Sequence, residues 1–160
     1  MIRRAVVSDA KEICRIYNHY IVNTAISFEE SEISLDEMKS RIKNINENCE
    51  WIVFEFEKKI IGYAYSSQWK ERLAYRYTLE VTVYIDKDHL GKDTGSKLME
   101  KIIWICKEKN VHSLIGIIAL PNDASIKLFE KFGFVKRAHF KETGYKFEKW
   151  IDTGYWQKML

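Results

Sequence analysis

The sequence predicts an α/β fold with a mixed sheet, and three observations carry that expectation. Strand and helix patterns alternate between Thr78 and Gly133. A hairpin pattern precedes them, with Trp51 to Glu57 and Ile60 to Ser66 joined at Lys58-Lys59. Two further strand patterns, Phe134 to Phe140 and Lys146 to Met159, finish the chain. The alternation argues for helices laid on a sheet; the hairpin and the strand-rich end argue that the sheet is mixed.

In chain order, Ile2 to Val7 reads as a short strand, followed by a helix start signal at Ser8 and Asp9. Ile13, Ile16, Tyr17, Tyr20 and Ile21 then recur at helical spacing. After a loop containing Thr24 and Phe28, Ser34 with Glu37 forms a capping-box pattern ahead of Met38, Ile42 and Ile45. A polar stretch runs from Gln68 to Arg76. Thr78 to Ile85 alternates cleanly: Leu79, Val81, Val83 and Ile85 share one face, Thr78, Glu80, Thr82 and Tyr84 the other. The loop Asp86 to Gly95 leads into a helix from about Ser96 to Lys109, then the apolar strand Ser113 to Leu120. Pro121-Asn122-Asp123 opens a helix that Gly133 closes.

With 160 residues and one proline, the chain is expected to form a single domain over 1–160. Hydrophobic residues make up 46%, enough for a full core and against disorder. The net charge of +3 comes from basic and acidic residues spread along the chain, so no nucleic-acid or membrane footprint is expected. Cys14, Cys49 and Cys106 match no disulfide or metal framework and read as reduced thiols; with no signal-peptide pattern at the amino terminus, the cytoplasm is the expected compartment. The histidines show no ligand spacing, and no metal is expected.

Three segments are candidates for chemistry. The strand–loop–helix from Thr78 to Leu98 carries Gly91 and Gly95 around Lys92, the makings of an anion site from loop amides and a helix N-terminus. Glycine serves backbone needs in many such turns, and the spacing fits neither the Walker nor the dinucleotide pattern. Glu80 is a carboxylate inside an apolar strand, either an ion-pair partner of Lys70, Arg72 or Arg76 or a general base in a cleft. In Leu120 to Ser125, Asn122 or Asp123 caps the helix or contacts a ligand.

Taken together, these segments resemble the GNAT acetyltransferases, most closely the phosphinothricin acetyltransferases and related amino-acid N-acyltransferases. The resemblance rests on Thr78 to Ile85 with the His89 to Ser96 loop, and on Ala119 to Ser125 with Lys127 to Phe134. It also rests on Ile16 to His19, Thr24 to Phe28, Gly144 to Lys146, Trp150 to Asp152 and Gly154 to Gln157. It implies a mostly antiparallel central sheet with helices on both faces, acetyl-CoA as co-substrate, a small-molecule amine acceptor and a homodimer. It further implies that backbone groups of Val83, Tyr84 and Ile85 hold the pantetheine arm. Gly91, Lys92, Asp93, Thr94, Gly95 and Ser96 would cradle the pyrophosphate, Asn122 would touch the cofactor again, and Glu80 would be the catalytic carboxylate. Phe28 and the segment with Arg72, Tyr75, Arg76 and Tyr77 would line the acceptor pocket, the arginines reading a carboxylate. The chain departs from the family at Asp93, where a glycine is usual, at Phe129, where relatives carry histidine or tyrosine, and at Val81, which is polar in some relatives. Other amine acceptors, protein N-termini among them, and a non-catalytic CoA-binding sensor are the alternative readings.

Overall fold

The computed structural model describes all 160 residues. The strands are β1 (Ile2–Arg4), β2 (Trp51–Phe56), β3 (Lys59–Gln68), β4 (Thr78–Ile85), β5 (Ser113–Leu120), β6 (Val135–Lys146) and β7 (Lys149–Met159). They form one seven-stranded sheet in the order β1-β2-β3-β4-β5-β7-β6. Only β4 and β5 run parallel; every other neighbouring pair is antiparallel, as expected. The helices are α1 (Ala10–Asn23), α2 (Leu35–Asn48), α3 (Thr94–Glu108) and α4 (Asp123–Lys131).

Each face of the sheet has its own core. On one, Leu98, Met99, Ile102 and Cys106 of α3 pack with Leu79, Val81, Leu114, Ile118, Phe129 and Trp156. On the other, Ile13, Ile16 and Tyr20 of α1 and Met38 and Ile42 of α2 pack on Trp51, Val53, Ile60 and Tyr63. The alternation of β4 feeds both: Val83 and Ile85 abut the α3 core, Tyr84 the α1 core. Ser34 caps α2, its Oγ accepting from the Glu37 amide at 3.1 Å.

Several boundaries differ from the sequence reading. β1 ends at Arg4 because Val7–Asp9 turns as a 3₁₀ helix; the Asp9 carboxylate accepts from the Val6 amide and pairs with both terminal nitrogens of Arg3 instead of capping α1. The β2–β3 turn sits at Glu57-Lys58, both with positive φ, one residue earlier than expected. β6 continues to Lys146 as one irregular strand, with a bulge between Phe140 and Gly144, and turns into β7 through Phe147 and Glu148. Two glycines are set by close approach. A Cβ on Gly116 would lie 2.1 Å from the Phe129 ring, and one on Gly144 would lie 2.4 Å from the Phe28 ring. No helix is long and apolar enough to cross a membrane.

Candidate active site

The sheet opens where its one parallel pair comes apart. β4 and β5 are in register only for Thr78↔Ser113, Leu79↔Leu114 and Glu80↔Ile115. β3 stays paired with β4 as far as Gly62↔Ile85. The β5-facing backbone of β4 beyond Glu80 therefore has no ladder partner, and a cleft of about 440 Å³ begins there. Val83, Tyr84 and Ile85 form one wall, and Gly91, Asp93, Thr94, Gly95 and Ser96 the end at α3. Asn122, just ahead of α4, and Ser125 and Leu128 of α4 form the other wall.

Helix α3 begins at Thr94, two residues earlier than expected, which puts Thr94, Gly95 and Ser96 in its first turn. The first amides of a helix have no partner within it. Asp93, the residue before the helix, makes no side-chain cap, so those amides remain available to an anion at the positive end of the helix dipole. Lys127 and Lys131 of α4 add positive charge across the mouth. Lys131 donates to Ser96 Oγ at 2.7 Å and lies 3.5 Å from Asp93 Oδ1. Ser96, helped by Lys131, holds the Asp93 carboxyl below the usual carboxylate range. Lys92 lies outside the cleft lining, its ammonium donating to the Asp88 carbonyl at 3.3 Å. Asn122 does the capping work that one reading gave it: its Oδ1 accepts from the Ser125 amide at 3.2 Å, and its Nδ2 remains free at the cleft wall.

Asp93 has a φ of +61°, a conformation glycine adopts at no steric cost. Asp93→Gly keeps that backbone and removes a negative charge beside the free amides. The expected result is acetyl-CoA bound several-fold more tightly in calorimetry, with the gain shrinking as salt is added.

Glu80 faces away from the α3 core, on the α1 side of β4, half-buried between Ser67 on β3 and Ile115 on β5. It forms no ion pair: Lys70, Arg72 and Arg76 all lie beyond bonding distance, so the ion-pair reading of this carboxylate does not hold. Burial pushes its pKa up, with the Lys70 charge opposing in part. Burial also pushes the nearby Tyr65 hydroxyl up to about 12, keeping that neighbour neutral.

Helices α1 and α2 pack over β2, β3 and β4 on this face, and the loop after α1 reaches across to β6. Ile117 and Phe140 are exposed there, with the Phe140 ring edge-on to Tyr155. Phe28 borders this area with its ring seated on Gly144. Arg72, Tyr75, Arg76 and Tyr77 occupy the exposed turn that leads into β4. Tyr75 rests edge-on against Trp69, and the Arg76 guanidinium stacks 4.5 Å from the Tyr77 ring. Neither arginine has a carboxylate partner, so both are free to meet one.

The sequence reading missed Tyr20, Ile26, His89, Leu90, Lys127 and Lys131, all of which line the cleft. Lys127 and Lys131 are four apart on α4 and so share a face, the one signal that was present. Phe129 does not face the cleft. It is buried on Gly116 and edge-on to Phe134, a core residue that carries no proton chemistry.

Residues 2–154 match the acetyltransferase (GNAT) domain family. The chain is 33% identical over 157 residues to phosphinothricin N-acetyltransferase of Streptomyces viridochromogenes, spanning 98% of this chain and 86% of that protein. It is 30% identical over 160 residues to the L-methionine sulfoximine/L-methionine sulfone acetyltransferase of Salmonella typhimurium, spanning 99% and 94%. Its structure superposes on a phosphinothricin acetyltransferase of Sinorhizobium meliloti solved in complex with acetyl-CoA. The TM-score is 0.97 at 31% identity, over 100% of this chain and 88% of that one.

Proposed function

Because the chain belongs to the GNAT acetyltransferase family, we propose that it transfers an acetyl group from acetyl-CoA to the primary amine of a small amino-acid-like acceptor of the phosphinothricin or methionine sulfone type. One observation carries this reading above the rest. The same strand that opens into an anion-ready cleft carries Glu80, an unpaired, half-buried carboxylate, at the point where β4 leaves β5.

The cleft fits the donor. Free amides of α3 with Lys127 and Lys131 suit a pyrophosphate, and the unpaired edge of β4 at Val83 to Ile85 suits an extended amide-bearing arm. Acetyl-CoA supplies the activated acyl group as a thioester. Glu80 takes the proton from the acceptor's ammonium, directly or through one water, since a protonated amine is not nucleophilic. Its raised pKa makes it a stronger base than an ordinary carboxylate. The Val83 amide donates to the carbonyl oxygen as negative charge gathers on it, the Tyr84 amide being taken up in the β3–β4 ladder. Transfer is direct, from thioester to amine. Arg72 and Arg76 bind the acceptor's carboxylate, and Phe28 with the face around Ile117 and Phe140 encloses its side chain.

The test is thiol release from acetyl-CoA with a panel of phosphinothricin, methionine sulfone, free amino acids, polyamines and a short peptide. Turnover confined to the amino-acid-like amines is expected. Turnover with the peptide alone transfers the reading to a protein acceptor.

We further place the enzyme in the cytoplasm as a single-domain homodimer. Three free, buried cysteines suit a reducing compartment. The outer β6–β7 hairpin exposes Phe140, Tyr145, Phe147 and Trp150, with the Tyr145 and Trp150 rings 4.8 Å apart. Light scattering is expected to give twice the chain mass, and Tyr145→Glu with Trp150→Glu to halve it.

A further inference from the structure

Lys146, near the end of β6, is 3% exposed and has no carboxylate partner. Its ammonium donates instead to three backbone carbonyls: Ile21 at 2.7 Å, Thr24 at 2.9 Å and Ser27 at 2.7 Å. An ammonium has three donors, and here all three are used. The Ile21 carbonyl is one of the last four of α1, which have no partner within the helix and carry the negative end of its dipole. Thr24 and Ser27 belong to the loop that follows. A side chain 119 to 125 residues away in sequence thus gathers the end of a helix and its loop onto the outer hairpin.

What that loop carries gives the contact its meaning. Ile26, between the Thr24 and Ser27 carbonyls, lines the donor cleft beside Tyr84 and Ile85. Phe28, one residue past Ser27, is seated on Gly144, two residues before Lys146 on β6. The far end of the loop has a separate anchor: Tyr17 Oη bonds Ser27 Oγ at 3.0 Å and Glu29 at 3.1 Å. Lys146 is the only side chain that ties the 24–27 span to the sheet through its carbonyls. The other groups near the ammonium are the Phe147 ring at 5.1 Å and, more distantly, Glu29 and Glu30, which bear on its charge without bonding it.

We propose that Lys146 is a positioning residue for acyl transfer: its ammonium fixes the α1–α2 loop so that Ile26 walls the donor cleft and Phe28 walls the acceptor side at the same time. The role rests on the acetyltransferase reading, but the contact can be measured without turnover. A displacement of about 1 Å in a group that orients reactants costs on the order of 100-fold in rate.

The test uses the full chain with Lys146→Met, which keeps the stem and loses the donors, and Lys146→Arg, which keeps the charge but replaces a tripod of donors with a planar fork. Hydrogen exchange is followed by mass spectrometry on peptides covering residues 20–28, 78–85 and 94–108. Exchange at 20–28 is expected to quicken at least ~10-fold in the Met variant and by less in the Arg variant, while 78–85 and 94–108 keep wild-type protection. In turnover, kcat is expected to fall and KM for both substrates to rise. A merely structural role would lower protection everywhere and leave KM unchanged. Wild-type exchange at 20–28 in either variant overturns the proposal, and so does loss of protection across the whole chain in both. A wild-type protein that acetylates nothing, yet shows the local change, sinks the acetyltransferase reading and leaves the loop anchor standing.

Discussion

Glu80→Gln is expected to lower kcat/KM by ~10²–10⁴-fold, the usual worth of a positioned general base, while raising the melting temperature. The two effects have one origin. Burial disfavours the charged carboxylate, so the folded pKa of Glu80 lies above its unfolded value. The folded protein therefore holds the Glu80 proton more tightly than the unfolded chain does. That contribution to stability is fully present at low pH. It is lost as pH rises from the ordinary carboxylate range through the raised folded pKa. Glutamine keeps the shape and carries no charge, so the variant melts higher than wild type above that window and converges with it below. Activity runs the other way: wild-type kcat/KM rises with pH through the same window as the base ionises, and the Gln variant lacks that limb. Thermal melts and pH–rate profiles on both proteins check this together. Equal melting curves at neutral pH would mean that Glu80 is not held against a desolvation cost.

Gly116→Ala is expected to destabilise the protein by about 1–3 kcal/mol, the range for overpacking a filled core, and to weaken acetyl-CoA binding as well. A Cβ there would sit 2.1 Å from one ring carbon of Phe129 and 2.6 and 2.8 Å from two others, all in a buried ring also wedged against Phe134. The ring cannot rotate away without moving α4. Helix α4 supplies Ser125, Lys127, Leu128 and Lys131 to the cleft, so the stability loss and the affinity loss share a cause. Adding Phe129→Leu, which shortens the side chain, is expected to recover part of both. Chemical denaturation and calorimetry with acetyl-CoA measure the two. A Gly116→Ala protein of wild-type stability would mean that α4 is free to shift.

How far the sequence could be read depended on the range of the interactions involved. The two faces of β4 were legible because alternation is local, and each face meets the core its pattern implied. Ser34 was legible because a cap and its partner lie three residues apart. The β6–β7 hairpin was not. Lys141, Glu142, Thr143 and Gly144 look like a loop, yet the ladder absorbs them in a bulge, with Glu142 at positive φ and its amide held by Asp152 at 2.8 Å. The cleft was expected through its glycines, but the splay of β4 from β5 that makes it is a tertiary event with no local signature. The departure at Phe129 had no local explanation, because its packing partner, Gly116, lies on another element. Lys146 was the hardest case. A lysine in a strand usually points to water, and its three acceptors are backbone carbonyls more than a hundred residues away.

The most direct measurement is a single-turnover, rapid-quench experiment. Protein in excess is loaded with acetyl-labelled CoA and mixed with phosphinothricin or methionine sulfone. The label is then located in the quenched protein and in the small-molecule fraction. Direct transfer with Glu80 as base predicts that label leaves the thioester and appears on the acceptor's nitrogen at one rate, with none bound to protein at any time. Glu80→Gln should slow that single step without trapping label elsewhere. Label appearing on the protein before the product forms, in wild type or variant, would contradict direct transfer.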